Sequence, residues 1–401
     1  MLALGSVIYL LLKNKECSMD IEKIRRDFGQ KDTEIWFNSA ATSYMPEPIL
    51  RKIFEKIIKW QSSFETGNLD SISELDEEWK KAAVKMINCD KDEVTGVISA
   101  THGLCIAVYG IGLKKGDNVI INELEYVSLP QTVFYQAQKS GCEVRIAKRK
   151  EWEIPPENIE TLVDENTKAI VLSHVEFVNG FRHNLKKIAE IAHKNSAFLI
   201  VDAIQSLGAV KVDVKDMDID ILACGGHKWM SSLYGYGIFY VKKGIIGELE
   251  NPFGGFAGIK DKETVRNDYK IGMDFVKDYE IDENSIEKFG FSTENVPGKV
   301  ALTEMMNYFT NIGLNEIEKR ILTLSGYLID ILQEKGLEIR SSLKPEHMSG
   351  IINFMPEEDP AEFVKRMRKN KIYLGQRGGG IRVALHFYNT FDEIDRFVKL
   401  L

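Results

Sequence analysis

Phe198-Leu-Ile-Val-Asp-Ala-Ile-Gln205 and, a short way on, Ile219-Asp-Ile-Leu-Ala-Cys-Gly-Gly-His-Lys-Trp229 are the two stretches that decide the fold. Each opens on an apolar run with little polar alternation and closes on residues able to do chemistry. A run of that kind reads as a strand covered on both faces. The same texture recurs at 94–99, 118–122, 143–147, 169–175 and 237–242, giving seven such runs with 198–203 and 219–224. Helical spacing fills most of the gaps, as at 185–194. This is the pattern of an α/β layer with a mainly parallel seven-stranded sheet.

Outside that layer the texture changes. Residues 47–60 and 73–87 space their apolar side chains three and four apart, as helices do, and the polar residues 62–73 between them read as a loop. Residues 244–295 look irregular, rich in glycine and charge. A single long helical stretch is expected over 299–336. Short strands at 350–355 and 380–385 then mix with helices at 361–369 and 390–400, which describes a small C-terminal α+β domain. The expected partition is an extension at 1–18, an N-terminal segment at 19–45 packing on the small domain or on a partner, a large domain at 46–295 and the small domain at 296–401.

A chain of 401 residues exceeds what one core usually organises, so more than one domain is expected. Hydrophobic residues at 44% and charged residues at 28% are ordinary for a soluble globular protein. The net charge of -8, without a basic run, argues against nucleic acid as the main partner. The five cysteines, Cys17, Cys89, Cys105, Cys142 and Cys224, are scattered and form no CxxC pair. They suggest neither a zinc site nor a disulfide framework, and they fit a reducing, cytoplasmic setting. The apolar run at 2–12 is too short to span a bilayer, no basic residue precedes it, and no membrane association is expected.

Four constellations carry chemistry. Lys228 follows a buried strand and two glycines, with His227 before it. A lysine there is costly unless neutralised or used, and a Schiff base with an aldehyde cofactor is one use. A solvated surface turn is the plainer alternative. Asp202 ends its strand where ligands gather beside a parallel sheet. Such an acid suits the ring nitrogen of pyridoxal 5'-phosphate (PLP). Gln205 has the reach to donate to that cofactor's phenolic oxygen, while a helix N-cap by Asp202 is the plainer reading. Ser99-Ala-Thr-His-Gly103 joins a strand to a helix start, where Thr101 and backbone N–H groups suit a phosphate. Arg382, in Gln376-Arg-Gly-Gly-Gly-Ile-Arg-Val-Ala-Leu-His-Phe-Tyr-Asn-Thr390, can hold a carboxylate in two-pronged fashion, the alternative being a surface ion pair.

In this order and spacing the chain resembles the class V aminotransferases. These are PLP fold-type I enzymes that include cysteine desulfurases, selenocysteine lyases and isopenicillin N epimerase-like proteins. The resemblance runs from Trp36-Phe-Asn-Ser-Ala-Ala-Thr42 to the C-terminus. It implies PLP as cofactor, Lys228 as Schiff-base lysine and His227 as a phosphate neighbour. Asp202 and Gln205 match the partners of the ring nitrogen and phenolic oxygen, and Thr101 and His102 match the phosphate loop. Tyr126, in Glu123-Leu-Glu-Tyr, matches the ring that stacks on PLP. Thr293 resembles a phosphate contact reaching across a dimer. Arg382 matches the arginine for the substrate carboxylate, and Ala40 and Ala41 match the lining of the substrate entrance. A homodimer acting on a small amino acid is implied, by aminotransferase or C–S/C–Se lyase chemistry. Alternatives are an epimerase or a non-catalytic PLP-binding regulatory protein.

Three departures stand out. No cysteine lies between Lys371 and Arg382, where the similar desulfurases carry a nucleophile. Tyr126 stands in place of their histidine. Gly225 stands where the family often has serine, leaving Ser231, Ser232 or backbone to replace that contact.

Overall fold

The computed structural model describes residues 19–63, 70–272, 276–290 and 293–401; the expected extension at 1–18 lies outside them. Twelve strands occur among the described residues: β1 (Ile35–Trp36), β2 (Val94–Val97), β3 (Asn118–Asn122), β4 (Glu143–Ala147), β5 (Thr167–Ser173), β6 (Phe198–Asp202), β7 (Ile221–Gly225), β8 (Gly237–Val241), β9 (Ile351–Phe354), β10 (Ile372–Tyr373), β11 (Gly375–Arg377) and β12 (Gly380–Ala384).

Seven of them form one sheet in the order β2-β8-β7-β6-β5-β3-β4. β4, β3, β5, β6 and β7 run parallel. β8 is reversed against both β7 and β2. The chain returns from β7 to β8 through residues 226–236 without a crossover helix, and such a return yields antiparallel neighbours. Every residue of β3, β6, β7 and β8 is buried. Separate apolar clusters cover the two faces, one including Leu199, Val201 and Leu222, the other Ile200, Ile221 and Ala223. The continuous runs in the sequence follow from that two-sided burial.

The helix Leu185–Lys194 shows how the covering layer is specified. Leu185, Ile188, Ala189, Ile191 and Ala192 are buried on one face. The Asn184 side chain accepts from the Lys187 N–H at the start, and His193 and Lys194 occupy the last turn.

Three expectations need correction. The single helix over 299–336 is two, Val296–Ile312 and Leu314–Glu334, broken at Gly313, whose φ of +103° a side chain rarely adopts. Both ends of the expected loop at 62–73 are helical, one helix running Glu47–Ser63 and the next Asp70–Ile87, and residues 64–69 of it lie outside the described residues. The irregular 244–295 stretch contains the helix Lys262–Ile271, capped by the Asp261 side chain.

A second sheet, β11-β12-β9, is antiparallel, and β1 pairs with β10 in parallel. The N-terminal segment therefore lies on the C-terminal part of the chain. Arg25 reaches Glu393 at 2.8 Å, and the Phe28 ring centroid lies 4.6 Å from that of Tyr388. Asn38 bridges Ala384, which brings residues 38–42 to the edge where β6 and β7 end.

Candidate active site

The parallel strands deliver their C-terminal residues to one edge of the sheet, where ligand crevices form. β6 brings Asp202 there, fully buried. Its Oδ1 accepts from the Ile204 N–H at 2.9 Å. No helix follows Asp202, so it is not a helix cap. Burial pushes its carboxyl up to about 6, opposed by that N–H and by the charge of Lys228. Lys228 follows β7, and the same desolvation drives its ammonium down to about 8. Asp202 resists that fall, while Arg382 and Arg377 add to it. Nζ of Lys228 lies 5.5 Å from the centroid of the Tyr126 ring, and the lysine makes no ion pair among the described residues. It is not a solvated turn residue.

Gln205 is held at both ends of its amide. Its Oε1 accepts from the Trp229 indole at 2.8 Å, and its Nε2 donates to the Ala40 carbonyl at 3.1 Å. One Nε2 hydrogen remains for another acceptor. Thr42 Oγ1 donates to the His227 carbonyl at 3.2 Å, tying the 40–42 segment to the lysine loop. Ala40 is buried and Ala41 half-buried at this junction. The His227 ring stacks on Tyr234 with centroids 4.4 Å apart, and burial, then Lys228, holds it down at about 4.

The helix Ala100–Gly110 starts beside β2 with Ser99 as its cap, accepting from the His102 N–H at 3.1 Å. Thr101 is exposed in the first turn, and burial lowers the half-buried His102 imidazole. First-turn N–H groups and the helix dipole favour an anion here. In the lysine loop, the Oγ atoms of Ser231 and Ser232 are buried without hydrogen-bond partners among the described residues. A Cβ added at Gly225 would find only ordinary or slightly tight contacts, the nearest at 3.4 Å, so space does not exclude a serine there.

Arg382 lies on β12, nearly fully buried. Its Nη1 donates to the Phe177 carbonyl at 2.9 Å and its Nη2 to Asn38 Oδ1 at 3.4 Å, while Nε has no partner among the described residues. No carboxylate pairs with it among the described residues, and burial together with Arg377 lowers it to about 9. It is therefore not a surface ion pair. A buried guanidinium held only by neutral oxygens is a poor resting state and a good receptor for an anion.

Thr293 does not join this group within one chain. It lines a cavity of about 810 Å³ with Trp60, Asp76, Glu294 and Lys299, and none of Lys228, Asp202, Gln205 or Arg382 lines it. Sequence reasoning also missed Asn38, Trp229, the Phe177 carbonyl and Arg377. For Arg377 a signal existed. Gly378 and Gly379, with φ of +56° and +79°, make a two-residue hairpin turn, so Arg377 pairs with Gly380 as Gly375 pairs with Arg382. Both arginines thus lie on one face of the hairpin.

The family model Aminotransferase class-V matches residues 35–397. The chain is 26% identical to a probable cysteine desulfurase of Methanothermobacter thermautotrophicus, over 94% of this chain and 96% of that protein. It is 24% identical to an uncharacterized aminotransferase, YcbU, of Bacillus subtilis, over 93% and 95%. Among solved structures, the apo cysteine desulfurase of Thermococcus onnurineus superposes with a TM-score of 0.83 at 23% identity, over 94% and 96% of the two chains. The cystine C–S lyase C-DES, complexed with cysteine persulfide, gives 0.82 at 19% identity, over 93% and 98%. The chain belongs to the class V aminotransferase family. It has the fold of PLP-dependent enzymes of type I, and PLP is its cofactor. The residues present fit that group: a half-buried lysine without an ion-pair partner among the described residues, a buried acid that suits a ring nitrogen, a helix start that suits a phosphate, and two buried serine hydroxyls beside the lysine without partners among the described residues.

Proposed function

We propose that the protein is a PLP-dependent lyase that breaks the C–S or C–Se bond of a small amino acid and passes no sulfur to a cysteine on the β11–β12 hairpin. The observation that carries this is Arg382, a buried guanidinium with no carboxylate partner among the described residues, close enough to Lys228 for its charge to act on the lysine. The relatives named as cysteine desulfurases and the C–S lyase fold neighbour support the bond cleaved. The hairpin itself, Gly375-Gln-Arg-Gly-Gly-Gly-Ile-Arg382, carries no thiol. Cys224 sits nearer Lys228 in sequence, but it is buried in the core and burial pushes its thiol up, which leaves it inert.

In this reading Arg382 binds the α-carboxylate through Nε and a terminal nitrogen, and Asn38 and the Phe177 carbonyl orient the guanidinium. Bound PLP supplies an electron sink for the pair released when a bond to Cα breaks. Asp202 favours a positive charge on the ring nitrogen beside it. Lys228, whose amine is uncharged more readily than an ordinary lysine's, takes the proton from Cα. The Cβ–S bond then breaks and sulfur departs with the bonding pair as hydrosulfide. With water, L-cysteine yields pyruvate, ammonia and hydrogen sulfide. Thr101, His102, His227 and the Ser231–Ser232 pair hold the phosphate, and Tyr126 covers the ring.

The same reading includes a cytoplasmic homodimer in which Thr293 serves the partner's site, and a division between large and small domains at 295/296. Among the described residues no helix is long and apolar enough to cross a membrane. The test is to incubate the PLP-loaded protein with L-cysteine, L-cystine and L-selenocysteine and quantify products. Sulfide or selenide with stoichiometric pyruvate supports the lyase. Alanine with elemental sulfur would make it a desulfurase, and keto acid formed only with an added amino acceptor would make it an aminotransferase.

A further inference from the structure

Behind the site lie two carboxyl groups without a cationic side chain in ion-pair reach among the described residues. Glu125 follows β3, Glu176 follows β5, and both are buried. Asn122, the last residue of β3, joins them. Its Nδ2 donates to Glu125 Oε1 at 2.6 Å and to Glu176 Oε1 at 2.8 Å. Its Oδ1 accepts from the Leu124 N–H at 2.8 Å, which fixes both donor directions. Ser173, the last residue of β5, grips Glu125 from the other side, N–H to Oε1 at 2.7 Å and Oγ to Oε2 at 2.6 Å. His183 Nε2 stands 2.9 Å from Glu176 Oε1. Asp202 is in register with Ser173 on the neighbouring strand, and its carbonyl accepts from the His174 N–H.

Two buried carboxylates bridged by one amide cannot both ionise cheaply. Burial raises Glu125, and the charge of Glu176 and then of Asp202 adds to it; burial also raises Glu176, with Asp202 adding. Burial holds His174 and His183 near 3, so both imidazoles are neutral, with Arg182 the cation acting on His174. Burial and mutual repulsion thus favour the protonated form of Glu125 and Glu176, beside two neutral imidazoles.

Each acid is followed in sequence by a wall of the site. After Glu125 comes Tyr126, whose ring lies beside Lys228 Nζ. After Glu176 comes Phe177, whose carbonyl receives Arg382 and whose ring meets Tyr126 edge-on at 5.2 Å. We propose that Glu125 and Glu176, bridged by Asn122, are positioning residues for the reaction: they fix the Tyr126 ring beside Lys228 and the Phe177 carbonyl on Arg382. This rests on the reading of Lys228 and Arg382 given above. The acids act as neutral hydrogen-bonding groups, so an amide of the same shape replaces either, whereas truncation frees the wall it holds.

The experiment compares PLP-loaded wild type with Glu125→Gln, Glu176→Gln and Glu176→Ala. Three quantities are read: PLP content, the visible circular dichroism of bound PLP, and KM and kcat for L-cysteine across pH. Expected are full PLP content throughout and glutamine variants within about threefold of wild type at neutral pH. Glu176→Ala should show altered circular dichroism and a KM raised about tenfold, with kcat changed less. In wild type KM should rise at alkaline pH as the acids ionise, and in Glu176→Gln that rise should shrink. Two results would overturn the idea: Glu176→Ala with unchanged KM and dichroism, or Glu176→Gln as damaged as Glu176→Ala. If the alanine variant does not fold, the pH comparison of wild type with Glu176→Gln decides alone, and identical alkaline profiles overturn it. Failure of the wild type to bind PLP would sink the functional reading as well, which separates the two failures.

Discussion

Half-buried Lys228 and buried Arg382 are neighbouring cations, and desolvation makes each less basic than its kind. For Lys228 this has a kinetic signature. The uncharged amine is the form that condenses with an aldehyde, so apo-protein should take up PLP at a rate that rises through about pH 8 rather than near the ordinary lysine value of 10.5. The growth of the visible band across a pH series measures it. A midpoint near 10 would mean the amine is solvated. For Arg382 the expectation is a binding defect. If Arg382 holds the substrate carboxylate as proposed, Arg382→Gln removes a charge-assisted bond worth about 1.5–3 kcal/mol, or roughly ten- to hundredfold in KM for L-cysteine. A fall in kcat at unchanged KM would deny Arg382 that role. Lys228, Asp202 and Arg382 were legible in the sequence because each sits at a strand end or in a strand, and placing the strand places the residue. Asn38 and the Phe177 carbonyl were not. They meet Arg382 from far away in sequence, one through a neutral amide and the other through backbone, and neither leaves a compositional trace.

Among the elements, the parallel strands were readable because two covered faces demand unbroken apolar runs. The reversal of β8 was hidden, since a buried strand reads alike in either direction. The break at Gly313 was hidden too: Ile312 and Leu314 flank it, so apolar residues continue across the interruption. In the proposed reading, the β11–β12 hairpin is the element on which substrate binding depends most. Its turn is pinned by Arg340 Nη1 on the Gly378 carbonyl at 2.7 Å and by Asn353 Nδ2 on the Arg377 carbonyl at 2.9 Å. Gly378 has φ of +56°, and a Cβ there would stand 2.6 Å from Val178 Cγ2. Gly378→Ala should therefore cost about 1–2 kcal/mol in stability from backbone strain alone. It should also raise KM more than it lowers kcat, because the turn sets where Arg377 and Arg382 lie. Chemical denaturation with steady-state kinetics measures both, and an unchanged KM would detach the turn from substrate binding.

At the scale of the whole molecule, the fold holds Asp202 where its charge is unfavourable, and the proposed reading has the cofactor relieve it. Asp202 has a folded value of about 6 against 3.8 when free. The folded state therefore holds the proton more tightly than the unfolded chain does. Its contribution is full below about pH 4 and is lost as pH rises through 6, to the extent of about 3 kcal/mol in the apo-protein. Apo wild type should lose thermal stability between about pH 4 and pH 7 relative to Asp202→Asn, and PLP should restore more of it at the higher pH. Parallel pH curves for the two apo-proteins would contradict this. The N-terminal segment, laid over the C-terminal strands, closes the site by bringing Asn38 and Ala40 to residues over 160 positions away. Such long-range closure is what a sequence shows least, and here only the family resemblance pointed to it. The most direct test of the central claim is the visible absorption spectrum of the purified protein after incubation with PLP, wild type beside Lys228→Ala, before and after L-cysteine. A band of lysine-bound PLP in the wild type, absent from Lys228→Ala and shifted by L-cysteine, is the expected result. The same band in both proteins, or in neither, would contradict the assignment of Lys228.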